Sequence, residues 1–214
     1  MDYKQYQKSR DASWTALIEN HVSALPVKIT EIVKNYGIPC VSYEKGKVIL
    51  TAYGIVDRCF ETDGFMMRAA DRTVIFFDDT RSRQRCRFTI AHELGHYLCG
   101  HGVIQNGSVS YTAINREPSE TDAPEEREAN VCASRILAPA CVLWALGITE
   151  ASDIARLCDI SITSASFRAE RMRQLYSREK NYVRAKGRSC FLLSDLEKQV
   201  YDQFRGYIKR VQKS

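Results

Sequence analysis

Apolar positions set the rhythm of this chain, and the rhythm changes twice. Across residues 1–24, Trp14, Leu17, Ile18 and Val22 recur at helical spacing, with His21 on the same face, where it is expected to pack. Pro26 suits the first turn of a second helix that faces inward through Ile29, Ile32 and Val33, and Gly37 suits its left-handed end. The helical period is then lost. Residues 40–43, 47–53, 64–68 and 73–77 are short runs rich in β-branched and aromatic side chains, and they predict strands. Residues 44–46 and 70–72 read as hairpin turns, too short for helical crossovers, so the sheet is expected to be antiparallel or mixed. The edge near Gly64–Arg68 is a place where an extended peptide could pair.

From residue 87 the helical period returns. Ile90, Leu94, Tyr97 and Leu98 form the stripe of a helix with one buried side. Residues 105–123 are polar and read as a loop. A helix then opens with Asp122 as its cap, Pro124 in its first turn and Glu125 completing a capping box, and it stops at Pro139. One face of it, with Ala129 and Ala133, is small enough to pack closely on another helix. Helices are expected at 151–158 and 164–176, a basic loop at 177–190, and a last amphipathic helix at 192–211 built on Leu196, Val200, Phe204, Tyr207 and Ile208. The fold class is therefore α+β. A small antiparallel or mixed sheet packs on the helix at 87–98 and on the one that follows, and the C-terminal part is helical. The expected division is an N-terminal helix (1–24), a core (25–147), a helical pair (148–176), and a basic loop with the final helix (177–214).

Composition adds boundaries to that picture. The chain has 214 residues, 44% hydrophobic and 27% charged, as ordinary globular proteins do. No apolar run approaches the ~18 residues of a membrane span, and the polar start lacks a signal-peptide core, so a cytoplasmic location is expected. Eight cysteines are scattered without a C-x-x-C pair, which suits small buried side chains better than a disulfide framework or a cysteine-built zinc site. The net charge of +5 is uneven: residues 151–214 hold 14 Lys and Arg against 7 Asp and Glu, a net +7, and the first 150 residues carry −2.

The helix at 87–98 also carries chemistry. His92 and His96 are i and i+4, so both imidazoles leave one face about a turn apart and can share a divalent metal. Glu93 lies roughly 100° around the helix from His92, placed to hold a water at the metal without ligating it. Gly95 between the ligands is a poor helix former, which suggests that something approaches that backbone closely. A catalytic zinc site needs a third protein ligand. His101 is one candidate, but it comes five residues after His96 where the metzincin spacing requires six, and Gly100 is displaced from the pivot position. Glu126 is the other. Asn130, four residues on, could then accept from the free ring N–H of a ligand histidine and fix its tautomer. Tyr97, His101 and Tyr111 are candidates to stabilise an oxyanion.

These residues resemble the ImmA/IrrE family of metallo-endopeptidases. The matching positions are Leu25-Pro26-Val27, Asp63-Gly64-Phe65, residues 87–96, and Glu126 with Ala129 and Asn130, followed by Ala133, Leu137 and Pro139. Cys132 departs from the family's preference for Phe, a packing change. The resemblance spans roughly residues 25–175. It implies a gluzincin-like core over 25–147, Zn2+ on His92, His96 and Glu126, and Glu93 as catalytic base. It also implies a substrate: a helix-turn-helix repressor of the XRE type, cut at one site so that phage, mobile-element or damage-response genes are derepressed.

A reading of a different class starts from residues 153–173, which resemble a helix-turn-helix. Arg168, Arg171 and Arg173 could meet phosphates there. The favoured view is a helical hairpin with a basic outer face and no direct DNA binding. The alternative to proteolysis is a metal-containing regulatory module that binds a repressor or DNA without cutting.

Overall fold

The computed structural model describes residues 6–57, 62–69, 72–101, 110–115, 124–187 and 194–213; of 110–115 it describes the backbone alone. In chain order the elements are α1 (Gln7–Glu19), α2 (Ile29–Asn35), β1 (Cys40–Ser42), α3 (Tyr43–Ala52), β2 (Thr62–Ala69), β3 (Arg72–Phe77), α4 (Arg83–Leu98), β4 (Ser110–Asn115), α5 (Pro124–Leu137), α6 (Ala140–Ala145), α7 (Ala151–Cys158), α8 (Ile162–Lys186) and α9 (Asp195–Val211). The architecture is α+β with a mixed sheet. The chain divides into two units. The first takes residues 1–12 and 28–133, the second 13–27 and 134–214.

In the first unit the strands run in the order β1-β3-β2-β4. β1 is parallel to β3, whereas β2 pairs antiparallel with both β3 and β4. Side chains alternate across the sheet. Phe65, Met67 and Phe76 point to one face and bury with Leu50 of α3 and Ile55. Met66 and Ile75, opposite one another in the register, are buried as well. On the β2 face that Gly64 shares with Met66, α4 comes so close that a Cβ on Gly64 would lie 2.2 Å from the Thr89 methyl.

Asp63 ties that helix to the sheet electrostatically. Its buried carboxylate takes Arg81 Nε at 3.0 Å and Arg85 Nε at 2.6 Å. Ser82 caps α4 by accepting from Arg85 N. At its other end α4 meets α5. A Cβ on Gly95 would stand 2.9 Å from the Ala129 carbonyl oxygen, 3.1 Å from its Cα and 3.2 Å from Cys132 Cβ. The backbone approach expected at Gly95 is therefore made by the small-residue face of α5.

Several expectations are corrected here. Residues 47–53 form no strand; 47–52 belong to α3 and Tyr53 caps its end. Ser42 caps that helix, accepting from Lys45 N, and the buried positions are Gly46 and Leu50, one helical turn apart. Val48 and Ile49, which suggested a strand, face solvent, Val48 at 81% exposure. Gly46 is no hairpin turn but lies against the Phe76 ring. β2 offers no edge at 64–68, because β3 and β4 flank it on both sides. β4 itself falls within the stretch expected to be a loop. α2 begins at Ile29 with Lys28 as its cap, so Pro26 precedes the helix. The proposed cap Asp122 lies outside the described residues.

In the second unit, Trp14 and Leu17 of α1 are buried, while His21 lies past the helix end, exposed, with φ 51°. α7 and α8 form a hairpin through Asp159 at φ 51°, with Ser161 capping α8. α8 does not end near Tyr176. It runs to Lys186, since nothing from 177 to 186 breaks a helix, and Gly187 closes it with φ 68° and an N–H donated to Val183 O at 2.8 Å. Arg168 is buried and donates from Nε to the Ala138 carbonyl at 2.7 Å, with a second bond from Nη2 to the same oxygen. Burial lowers its pKa to about 10. On α9, Val200, Phe204 and Ile208 make the buried face, as the period indicated.

Among the described residues no helix is long and apolar enough to cross a membrane, and six cysteines are free. A direct test of the α4–α5 crossing is Gly95→Ala. Helix propensity alone would favour Ala by about 1 kcal/mol. The Ala129 backbone cannot yield, so the variant should instead lose roughly 1–3 kcal/mol in urea unfolding. A gain in stability would mean that the helices do not meet at this point.

Candidate metal centre

Helical geometry brings the donors together. His92 and His96 leave one face of α4, and their Nε2 atoms lie 2.9 Å apart. The first turn of α5 delivers Glu126 opposite them, with Oε2 at 3.2 Å from His92 Nε2 and Oε1 at 3.2 Å from His96 Nε2. Both imidazoles are 1% exposed. One ligand atom from each of the three residues lies within 4.8 Å of the others. Tetrahedral coordination at zinc–nitrogen distances of ~2.0–2.1 Å would space such donors by roughly 3.3 Å, so the set fits a zinc-sized ion with a position left open.

The outer ring nitrogens support that fit. His92 Nδ1 is 2.9 Å from Asn130 Oδ1. An amide oxygen only accepts, so His92 carries its proton on Nδ1 and turns the Nε2 lone pair inward. Asn130 thus occupies the place its spacing from Glu126 indicated. His96 Nδ1 is 3.1 Å from His101 Nδ1, and His101 Nε2 is 3.1 Å from Glu128 Oε2. Burial drives the Glu126 carboxyl up, but the His92 and His96 rings beside it outweigh burial and hold it at about 2. Glu126 is therefore an anion at neutral pH, as a metal ligand must be. Burial lowers the His101 pKa, against the Glu128 hydrogen bond that raises it.

Glu93 follows His92 and is fully buried. The remaining sequence candidates are placed differently. Tyr97 is half-buried, with the Arg68 guanidinium 5.1 Å over its ring. The Tyr111 side chain lies outside what is described, although its backbone pairs with Met67. His101 has both ring nitrogens engaged. The sequence reading did not find Glu128 as its partner. The available signal was a third histidine within ten residues of the pair at 92 and 96, facing the acid-rich first turns of the next helix.

A family model described as Peptidase_M78, the IrrE N-terminal-like domain, matches residues 50–170, more than half of the chain. The chain belongs to this family. The IrrE-like span includes all of α4 and α5, and with them the His92–His96–Glu126 cluster, Glu93 and Asn130. It agrees with the resemblance that the sequence motifs carry, and it makes the chain a member of a peptidase family with residues fit to hold a metal. No curated protein matches the chain.

Glu126→Gln should weaken divalent-metal binding at least ~10-fold, since even the loss of groups behind the ligands costs that much. His101→Ala should still load one equivalent at saturating metal. Elemental analysis of untagged protein, with chelator titration, reads both. Loading that depends on His101 and survives Glu126→Gln would reverse the ligand assignment.

Proposed function

We propose that the chain is a zinc-dependent, site-specific endopeptidase that cuts a helix-turn-helix repressor in the cytoplasm and so derepresses its operon. The observation that supports the peptidase part is the convergence of two inward imidazole lone pairs and one carboxylate beside a buried Glu93. Zinc bound by these residues would supply Lewis acidity to the scissile carbonyl and to water. Glu93 then takes the proton of the attacking water on its carboxylate and hands it to the departing amide nitrogen. Asn130 keeps His92 in the tautomer this chemistry needs. Tyr97 and Tyr111 remain the candidates for the oxyanion. Among the described residues β4 pairs on one side only, with β2, so it offers the edge on which an extended peptide could lie.

The repressor as substrate rests on family resemblance. The second reading, a regulatory module that binds without cutting, keeps the same metal residues and differs at Glu93. Direct DNA binding finds little support. Arg168 is buried on Ala138 O, Arg173 pairs with Glu170, and Arg171 bonds to Gln174.

The test is co-expression with a helix-turn-helix repressor, chosen from the genes beside this one where such a repressor is encoded there. The wild type should give one discrete cut, with little activity on generic protein. Glu93→Gln should abolish the cut and retain the metal, because it removes a base and no ligand. An intact repressor held equally well by wild type and Glu93→Gln would establish the binding module instead.

A further inference from the structure

Beside the cluster that the peptidase reading uses lies a second one that it does not. Cys99, His101 and Glu128 bring one ligand atom each within 4.8 Å of the others. Cys99 is fully buried, His101 is 6% exposed, and Glu128 is half-buried on α5, two residues after Glu126. Two roles compete for this group: a second metal site, or a hydrogen-bonded support for His96.

Counting protons decides between them. A neutral imidazole carries one N–H. With His96 Nε2 turned to the ion, its proton sits on Nδ1, which must donate across the 3.1 Å to His101 Nδ1. His101 then accepts on Nδ1 and carries its own proton on Nε2, where Glu128 Oε2 waits at 3.1 Å. Every contact has one donor and one acceptor. A metal on His101 Nε2 would reverse this, because the His101 proton would move to Nδ1 and face the His96 N–H at the same 3.1 Å. Two donors would then oppose one another inside a buried cluster, each without an acceptor.

We propose that His101 and Glu128 are positioning residues for His96: the Glu128 carboxylate orients His101, and His101 fixes the Nδ1–H tautomer and the ring angle that turn His96 Nε2 toward Glu126. The two ligand histidines are thus held unequally. His92 leans on a neutral amide, whereas His96 is linked through a second imidazole to a carboxylate, which makes it the more electron-rich donor. This rests on the metallopeptidase reading for its purpose, though the tautomer also follows from Glu128 without the ion: its carboxylate takes the His101 Nε2 proton, which leaves His101 Nδ1 to accept from His96.

The experiment therefore has two arms. Long-range nitrogen–proton NMR on metal-free protein at about pH 8 reports which nitrogen of each ring carries the proton. Zinc affinity comes from competition with a chromophoric chelator. We expect His96 as the Nδ1–H tautomer in the wild type, and a mixture in His101→Ala and Glu128→Ala. Each variant should bind zinc about 10-fold more weakly or worse. The double variant should bind no more weakly than His101→Ala, because both act through one ring. Cys99→Ser should change neither readout. If His101→Ala does not fold, Glu128→Ala, on the half-buried face of a helix, carries both arms alone.

Unchanged tautomers and affinities in zinc-binding variants would overturn the proposal and leave the peptidase reading standing. A wild type that binds no zinc, with the His96 tautomer still set by His101, would sink the peptidase reading and keep the proposal. Two equivalents of zinc, one of them lost in Cys99→Ser, would establish the second metal site and overturn it.

Discussion

The site depends on how closely two backbones can approach. At Gly95 the missing side chain lets α5 settle on α4, with the Ala129 carbonyl where a Cβ would otherwise stand. Ala129 is three residues past Glu126 and one before Asn130, so the contact that sets the helix separation also sets the reach of both side chains. A wider crossing would carry the Glu126 carboxylate away from the imidazoles and Asn130 away from His92. The residue between the two histidines therefore matters as much as the histidines do. The cost in helix propensity at that position is offset by packing that no larger side chain permits.

The other end of α4 is fixed by different means. There the helix meets a sheet, and Asp63-Gly64 combines a charge clamp with a close contact. Asp63 holds Arg81 and Arg85 around the helix start, and Gly64 admits the Thr89 methyl. The helix is held at two places, with His92 between them. Its orientation is consequently set by sheet and α5 together, which suits a site whose donor atoms converge to within a few tenths of an ångström of a coordination sphere.

Much of this was legible in the sequence because it depends on short-range spacing. The i, i+4 histidines, Glu126 with Asn130, and the small face of α5 are all statements about one helix at a time. β2 and β3 were legible because their runs are short and rich in apolar, β-branched and aromatic side chains. What escaped depends on partners distant in sequence. Residues 47–53 have strand-like composition, but Ser42 caps a helix there and Phe76 receives Gly46 on its ring. β4 is a strand because β2 offers it an edge; Tyr111, Thr112 and Ile114 favour a strand, but the polar stretch around them masked that signal. The length of α8 escaped for the opposite reason: polar, basic residues were read as a loop, although Arg178, Glu179, Lys180, Arg184, Ala185 and Lys186 form helices readily and no Gly or Pro lies among them. The roles of His101 and Glu128 were hidden because their pairing spans 27 residues and links the residues just after α4 to α5.

Glu126, the third residue of α5, stands in the first turn of that helix, where the backbone N–H groups have no partners within the helix. Helix ends fray, and the first turn is the part least held by its own hydrogen bonds. An ion shared by Glu126 and two side chains of α4 would thus do for α5 what a cap does for an isolated helix: pin its opening turn to something rigid. Ordering of that turn and occupancy of the centre become one equilibrium, so whatever grips or releases the chain just before Pro124 acts on the ion without touching it.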